Sequence, residues 1–404
     1  MQKLLLAVSA MALFAGAAVA QESDQAAAGG EVKVGIILGF TGPLESITPN
    51  MAAGAEMAAA EVNAAGTFMG GSTVATERAD STCIDAAAAT AAAEGLVSDG
   101  ISAIMGADCS GVTGAILTNV AVPNGIGMIS PSATSPGLSD AEDNGLFFRT
   151  APSDARQGVI MSDILTERGV DTVALTYTNN DYGKGLADSF TQDFTSRGGT
   201  ITITVPHEDG KADYSAEVAS LAASGADVLV VAGYSDQGGK GIIQNALDTG
   251  AFDDFYLPDG MVGQQIATDL GSGLNTSFGA IPGVDNEGAQ RFQELTQQQP
   301  TPFEGTSSFA PESYDAMALI LLAMHAAGSS NSADWTQRVE EIANAPGEQI
   351  IPGDLARAME LLAAGTDIDY VGASGVELIG PGESAGNYRE VEFSDGEIVT
   401  IGFR

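Results

Sequence analysis

Small hydroxyl side chains follow an apolar stretch at one point of the chain. Residues 125–136 read GIGMISPSATSP, so that Ser130, Ser132, Thr134 and Ser135 come directly after a short predicted strand. Hydroxyls and free backbone N–H groups at a strand's carboxyl end can hold an anion without a formal positive charge. The segment is therefore a candidate anion site, although a turn or a helix N-cap would account for the same residues.

A second segment has the same layout. The apolar run ISAIMGAD, residues 101–108, is followed by Cys109, Ser110 and Gly111. In an open α/β sheet, ligands bind in the crevice at the carboxyl ends of the strands. Two such strand ends in one half of the chain predict a pocket that grips a small anion.

Strands and helices alternate along the chain in two series, which must position these segments. The first series runs from the strand VKVGIILGF to the strand GIGMIS, and the second begins after FFRTAPSD. This alternation predicts an α/β fold with doubly wound parallel sheets. Because 404 residues exceed what one core usually supports, we expect two lobes.

The chain is expected to cross between the lobes near Arg149, near Ile281 and around residues 380–390. Lobe 1 then comprises residues 31–148 and about 281–385, and lobe 2 comprises residues 149–280 and about 386–404. In the last part of the chain, the predicted helices lie near 285–298, 310–328, 333–344 and 353–364, and the predicted β segments near 375–380 and 388–403.

The N-terminus predicts export. Residues 1–20 combine Lys3, an apolar core and the small-x-small sequence AVA at 18–20, the pattern of a secretory signal peptide. Residues 21–30 predict a disordered lead. No later stretch approaches the roughly 18 apolar residues of a membrane span, so we expect a periplasmic protein without membrane insertion.

The charge balance excludes one class of partner. The chain has 53 acidic and 15 basic residues, for a net charge of −38, and the acidic residues are spread along its length. Such a field repels nucleic acid and anionic lipid. We therefore expect neither as a partner, and a solvated surface suited to a saline habitat explains the surplus.

The two cysteines are better suited to pairing than to metal binding. Cys83 and Cys109 each lie beside a predicted strand end, where neighbouring loops could bring them together, and an oxidising compartment favours a disulfide. The distant His207 and His325 complete no zinc spacing. We expect no metal and no cofactor.

Catalytic patterns are weak. A Ser–His–Asp triad needs a histidine beside its nucleophile, whereas His207 ends a predicted strand and His325 lies in an apolar helix. The sequence GYSDQ at 233–237 departs from G-x-S-x-G at its fifth position, and Gly239-Lys240 lacks the upstream glycine of a phosphate loop. We therefore do not expect an enzyme.

Four further residues fall in loops that should face the same crevice. Tyr182 follows the predicted strand DTVALTYTN, Tyr234 ends DVLVVAGY, Asp259 follows DFYL, and Ile47 lies in the first strand–helix loop. A tyrosine offers an apolar wall with one hydroxyl, and a buried carboxylate suits an ammonium group. A turn accounts for Tyr182 as an alternative, and a turn or a helix N-cap accounts for Asp259.

Several of these segments together resemble a known family. The order VGIILGFTGPL, ADCSG, ISPSATSP, FRTAPSD, NNDYGKGLADSF and LVVAGYSD is similar to the periplasmic Leu/Ile/Val-binding proteins, the receptors of branched-chain amino-acid ABC transporters. The resemblance extends from about residue 31 to residue 404. It implies a type I periplasmic binding fold, in which two lobes joined by a three-crossover hinge close over the ligand.

The resemblance also implies a role for each candidate. Asp259 would pair with the α-ammonium of an amino acid, and Tyr182 and Tyr234 would cover the ligand from the second lobe. Cys83 and Cys109 match the family's disulfide positions. The residues that would hold the α-carboxylate are Ser110, Ser132, Ala133 and Thr134.

Two departures from the family pattern leave the ligand's side chain open. Ile47 stands where leucine-type receptors have a tyrosine, and Asp259 stands where they often have a glutamate. We expect a monomeric receptor that delivers a branched-chain amino acid to an ABC permease. The alternatives are an amide, a urea-like compound or an aromatic carboxylate as ligand, or a role as a ligand-sensing domain.

Overall fold

The computed structural model describes residues 29–404. The predicted signal peptide at residues 1–20, and residues 21–28 of the predicted lead, lie outside the described residues. Within residues 29–404, no helix is long and apolar enough to cross a membrane.

Strands and helices alternate as the sequence predicts. The strands are β1 (Glu31–Leu38), β2 (Thr73–Asp80), β3 (Ala103–Gly106), β4 (Met128–Ser130), β5 (Phe147–Arg149), β6 (Thr172–Thr178), β7 (Thr200–His207), β8 (Val228–Ala232), β9 (Asp254–Leu257), β10 (Phe278–Pro282), β11 (Glu348–Ile350), β12 (Ile368–Tyr370), β13 (Leu378–Gly380), β14 (Glu383–Ser384), β15 (Tyr388–Ser394) and β16 (Glu397–Phe403). The helices are α1 (Thr48–Ala65), α2 (Ala86–Ser98), α3 (Ser110–Ile116), α4 (Val122–Asn124), α5 (Asp154–Glu167), α6 (Asp181–Ser196), α7 (Ser215–Ala222), α8 (Gly238–Thr249), α9 (Gln264–Leu270), α10 (Glu287–Gln297), α11 (Ala310–Ala327), α12 (Ser332–Trp335), α13 (Val339–Ala343) and α14 (Leu355–Ala363). Between α3 and α4 the chain continues as one π-helical segment, Leu117–Ala121.

The first sheet contains five parallel strands in the order β2-β1-β3-β4-β5. β3 and β4 are buried along their whole length, as expected for a parallel sheet with both faces covered. Their carboxyl ends, at Gly106 and Ser130, point to the same edge because the strands are parallel. The two hydroxyl-rich segments of the sequence therefore begin side by side.

The second sheet contains seven strands in the order β16-β15-β10-β9-β8-β6-β7. The five strands from β6 to β10 are parallel, and the hairpin β15–β16 adds to β10 in the antiparallel direction. The hairpin turns at Asp395 and Gly396, both with positive φ. This sheet brings the carboxyl ends of β6, β8 and β9 to one edge, where the candidate tyrosines and Asp259 follow.

The long helix α11 fills the core beside the first sheet. Its residues from Ser313 to Met324 are all buried, so the helix is covered on every side. It packs directly on α1, and a side chain at Gly54 of α1 would meet the carbonyl oxygen of Ala310 at 2.5 Å. A glycine is therefore required where these two helices approach most closely.

The chain passes between the two sheets in three places, after β5, after β10 and after β14. The passages are hydrogen-bonded to one another: Arg149 N–H donates to the Gly382 carbonyl, and Gly283 N–H donates to the Asn387 carbonyl. Two α/β lobes joined by three adjacent segments confirm the predicted fold class. The predicted residue boundaries of the lobes stay a prediction.

Some elements carry no clear sequence pattern. The strands β5 and β10 were not predicted, because each is a short buried run in a segment that we assigned to the crossings between lobes. Helix α9 was also not predicted, since only Ile266 and Ala267 of its seven residues are buried. Of the two strands, β5 lies at the edge of the first sheet and β10 lies between β9 and β15 in the second.

Candidate functional site

A cavity lies between the carboxyl ends of the two sheets. The free space inside it is about 10 Å³, close to the room of one water molecule, so the two lobes nearly close on each other. Its walls come from both lobes, and no lysine or arginine is among them. The lining residues are Leu44, Asp108, Cys109, Ser110, Ser132, Tyr182, Tyr234, Asp259, Gly260 and Phe309.

Strand ends deliver the polar side chains to this cavity. Ser110 follows β3 and opens α3, and Ser132 follows β4. From the other lobe, Tyr182 lies in the first turn of α6 after β6, Tyr234 follows β8, and Asp259 follows β9. Each side chain thus lies where an open α/β sheet binds its ligands.

The serine end of the cavity, formed by Ser110 and Ser132, carries no charge of its own. Ser110 Oγ accepts a hydrogen bond from Ser135 N–H at 3.0 Å, so its own proton stays available for a ligand oxygen. Ser132 Oγ already donates to the carbonyl of Asp108 at 2.9 Å. In this arrangement Ser110 is the better donor, and Ser132 mainly ties the loop after β4 to the loop after β3.

Ala133 and Thr134, also predicted for the carboxylate, do not line the cavity. The N–H of Ala133 donates to Ser130 Oγ at 2.9 Å, and its carbonyl accepts from Arg149 Nη1 at 3.1 Å. The Thr134 carbonyl accepts the N–H of Asp154 at 2.8 Å. Because these backbone groups are bonded within the protein, the two residues shape the loop instead of facing the cavity.

The acid end of the cavity is formed by Asp259 with Tyr182 and Gly260. Asp259 Oδ1 accepts hydrogen bonds from Tyr182 Oη at 2.6 Å and from Gly260 N–H at 2.7 Å. Asp259 Oδ2 is buried and has no partner among the described residues. Burial raises the pKa of Asp259, and hydrogen bonding from Tyr182, from the Gly260 N–H and from the Gln157 side chain opposes that rise. A buried carboxylate oxygen without a donor is a strong acceptor for a ligand ammonium group.

Gly260 is needed for the geometry of the acid end. A β-carbon at this position would lie 2.6 Å from the Gly233 carbonyl and 2.8 Å from Tyr182 Oη. The absence of a side chain therefore lets the Gly260 N–H reach both Asp259 and Tyr182.

Two tyrosine rings form one wall. The rings of Tyr182 and Tyr234 are stacked with centroids 5.1 Å apart and an interplanar angle of 19°. Tyr234 Oη accepts a bond from Asn180 Nδ2 at 3.4 Å. The pair presents an apolar surface with its hydroxyls held in place.

The predicted first-loop residue, Ile47, does not line the cavity. It is buried at the N-cap of α1, and Leu44 from the same loop lines the cavity instead. The loop was therefore identified from the sequence, whereas the residue within it depends on a turn that the sequence does not specify.

Three other lining residues were missed: Asp108, Gly260 and Phe309. Asp108 ends the predicted strand ISAIMGAD, so its position at a strand end could have been predicted. Its carboxylate accepts hydrogen bonds from Gly39 N–H and from Ser81 Oγ, both at 2.9 Å, and so links the ends of three strands. Burial raises the pKa of Asp108. Phe309 gives no sequence signal, because it reaches the cavity from a left-handed backbone conformation with φ of 63° before α11.

Cys83 and Cys109 form the predicted disulfide, with their Cα atoms 5.2 Å apart. The bond joins the loops after β2 and β3, next to Ser110. Asp108 completes a small cluster with the two sulfur atoms, but disulfide sulfurs are not thiolate metal ligands. His207 and His325 lie outside the cavity lining.

Hydrogen bonds between the lobes close the cavity on two sides. Asp236 Oδ2 accepts the N–H of Ser46 at 2.9 Å, and Asp236 N–H donates to the Pro43 carbonyl at 3.1 Å. On the other side, Ser308 Oγ donates to the Val262 carbonyl at 2.7 Å. These contacts flank Leu44 and Phe309, so the structure is a closed arrangement of the lobes.

A second cleft between the lobes, beside the disulfide, is acidic. Its volume is about 380 Å³, and Asp181, Glu208 and Asp209 are among its lining residues. No lysine or arginine lines it. This cleft therefore favours a neutral or cationic group over an anion.

Comparison with known proteins gives one family match. Residues 31–356 match a family model described as periplasmic binding protein. Leu/Ile/Val-binding protein homolog 1 of Brucella abortus is 29% identical over 336 residues, which cover 81% of this chain and 88% of that protein.

Solved structures share the fold. A leucine-binding protein, LivK, from Thermotoga maritima has a TM-score of 0.77 at 20% identity, covering 92% of this chain and 98% of that chain. An ABC-transporter solute-binding protein from R. palustris, in complex with benzoate, has a TM-score of 0.73 at 19% identity, covering 92% of this chain and 96% of that chain. At these identities the likeness shows the fold alone.

Proposed function

Since this chain belongs to the periplasmic binding proteins of Leu/Ile/Val type, we propose that it is the extracytoplasmic receptor of an ABC importer, and that it closes on a branched-chain amino acid and delivers it to a membrane permease. It acts by binding and release, as a periplasmic monomer, and not by catalysis. The relatives' names support the ligand class, and the geometry of the cavity supports a zwitterion in particular.

The unpartnered Oδ2 of Asp259 carries this proposal. A buried acceptor without a donor is unfavourable in the empty protein, and a ligand ammonium group would satisfy it. Ser110 offers a hydroxyl donor in the same cavity for the α-carboxylate. The two groups together fit an α-amino acid better than they fit a simple anion.

Four of the other lining residues support an aliphatic side chain. Leu44 and Phe309 add apolar surface next to the stacked tyrosines, and none of these residues carries a charge. Apolar pockets with a few placed polar groups are typical of small-ligand sites. The side chains of leucine, isoleucine and valine match such a surface.

The experiment is a calorimetric titration of protein that has been stripped of ligand by unfolding and refolding. Leucine, isoleucine and valine should bind with Kd values at least tenfold lower than those of an acidic and a basic amino acid, aspartate and lysine. An equal or stronger response to aspartate or lysine would contradict the branched-chain assignment.

An aromatic carboxylate is the second candidate, because a protein of the same fold was solved with benzoate. The Asp259 oxygen without a donor favours the amino acid over this candidate, which has no ammonium group. Benzoate therefore belongs in the same titration, and binding of benzoate without binding of any amino acid would replace the proposed ligand.

A further inference from the structure

A second buried acid lies behind Asp259, outside the cavity lining. Asp154 opens α5 and is fully buried, and its Oδ2 has no partner among the described residues. Burial and the neighbouring charge of Asp259 raise the pKa of Asp154 well above its ordinary value. Two adjacent buried acids lower the stability of a protein, so their presence calls for a reason in function.

The side chain of Gln157 joins the two acids. Gln157 is fully buried one helical turn after Asp154. Its Nε2 donates to Asp154 Oδ1 at 2.8 Å, and its Oε1 accepts the backbone N–H of Asp259 at 3.1 Å. Only one orientation of the amide satisfies both partners, because a carboxylate oxygen cannot donate and an N–H cannot accept.

The same chain of bonds reaches the loop of the serine end. The backbone N–H of Asp154 donates to the carbonyl of Thr134, at 2.8 Å, in the segment SPSATSP. A continuous hydrogen-bonded path therefore runs from that loop, through Asp154 and Gln157, to the backbone of Asp259. It passes through the first segment that joins the two lobes, between β5 and α5.

We propose that Gln157 and Asp154 are positioning residues for ligand binding. Gln157 fixes the backbone of Asp259 and so positions the Asp259 carboxylate at the cavity, and Asp154 anchors Gln157 to the loop that follows β4. Neither residue touches the ligand. This inference rests on the proposed amino-acid function and adds two residues that the cavity lining does not include.

A simple packing role makes a different prediction. A leucine or methionine side chain could fill the space of Gln157, but it would leave Asp154 Oδ1 and the Asp259 N–H without a partner, which costs stability. A packing residue would therefore affect the fold and the affinity independently of Asp259. A positioning residue should lose its effect once the Asp259 carboxylate is gone.

The test is a double-mutant cycle with leucine as the probe. Q157L should raise the Kd for leucine about tenfold in the wild-type background, the effect of about one buried hydrogen bond. In the D259A background the same change should alter the Kd less than about twofold. Calorimetry measures the tighter variants and ligand-observed NMR the weaker ones. Q157M, which is unbranched and similar in volume to glutamine, repeats the cycle if Q157L does not fold.

The positioning role would be overturned if Q157L raised the Kd for leucine by the same factor in the wild-type and D259A backgrounds. It would also be overturned if Q157L alone left the Kd unchanged. If the wild-type protein binds leucine, either result removes this inference alone. If the wild-type protein binds no amino acid, the proposed function fails and the inference falls with it.

Discussion

The two ends of the cavity offer hydrogen bonds to a ligand in different ways. At the serine end, Ser110 and Ser132 are uncharged and already take part in hydrogen bonds within the protein. At the acid end, Asp259 is buried with one oxygen that has no donor among the described residues. The hydrogen bonds of the serine end are therefore nearly all formed without a ligand, whereas the acid end has an acceptor that still lacks a donor.

This difference indicates where binding energy originates. A ligand group that meets Ser110 replaces water at a neutral donor, which contributes about 0.5–1.5 kcal/mol. An ammonium group that meets Asp259 relieves a buried, unpaired acceptor, and a hydrogen bond to a charged group contributes about 1.5–3 kcal/mol. The acid end should thus dominate affinity, and the serine end should mainly fix the ligand's orientation.

The largest effect should come from removal of the acid. D259A should raise the Kd for leucine about 100-fold or more, because the ligand ammonium loses its charged partner. Calorimetry measures the change, and thermal unfolding checks that the variant is folded. D253N, at an exposed aspartate of the same lobe, is the matched control and should leave the Kd unchanged. If D259A bound leucine with the wild-type Kd, the claim that the acid end dominates affinity would be contradicted.

A smaller effect is expected at the serine end. S110A should raise the Kd for leucine by about 2–10-fold, since one neutral hydrogen bond is lost. S132A should raise it less, because the Ser132 hydroxyl already donates to Asp108. The same titration measures both Kd values, and their ranking tests the assigned roles of the two serines. A larger loss in S132A than in S110A would reverse the assigned roles.

The contacts between the lobes belong to neither end. D236A removes the acceptor for Ser46 N–H and should weaken binding several-fold, as expected for one partly buried hydrogen bond. The loss should be the same for leucine and for its amine-free analogue 4-methylpentanoate, because the closed state is affected and not a ligand contact. A loss confined to one of the two ligands would place Asp236 in the site itself.

The smallest effect concerns the empty protein. The pKa of Asp259 is raised by burial, so the carboxyl stabilises the fold at low pH, and this stability is lost as the pH rises through the folded-state pKa. D259N removes the ionisation while keeping the size of the side chain. The ligand-free D259N protein should therefore unfold a few degrees higher than wild type at neutral pH, and the gap should narrow on acidification.

Thermal unfolding of ligand-free protein across pH measures this gap. A lower unfolding temperature for D259N at neutral pH would mean that the acid stabilises the empty fold, contrary to the contrast between the two ends.

Much of the fold was predictable because local sequence patterns determine it. Buried parallel strands such as β3 read as continuous apolar runs, and strand–helix alternation fixes a parallel sheet. The antiparallel placement of β15 and β16 on the second sheet depends on pairing between residues more than 100 positions apart, as between Phe278 and Glu392. No local pattern encodes that pairing.

The candidate site was predictable where its residues directly follow the ends of strands. Ser110, Ser132, Tyr182, Tyr234 and Asp259 follow strand ends, and the sheet topology brings them to one cavity. Phe309 and Gln157 were not predicted, because the first depends on a left-handed backbone conformation and the second on a side chain inside a helix. Such residues acquire their roles only from tertiary packing.

The central claim is that the acid end recognises the ligand's ammonium group. The most direct measurement compares leucine with 4-methylpentanoate, which lacks only the amine, on stripped wild-type protein and on D259A. Wild type should prefer leucine by about 100-fold, and D259A should lose most of that preference. Equal binding of the two ligands by wild type, or an undiminished preference in D259A, would contradict the account.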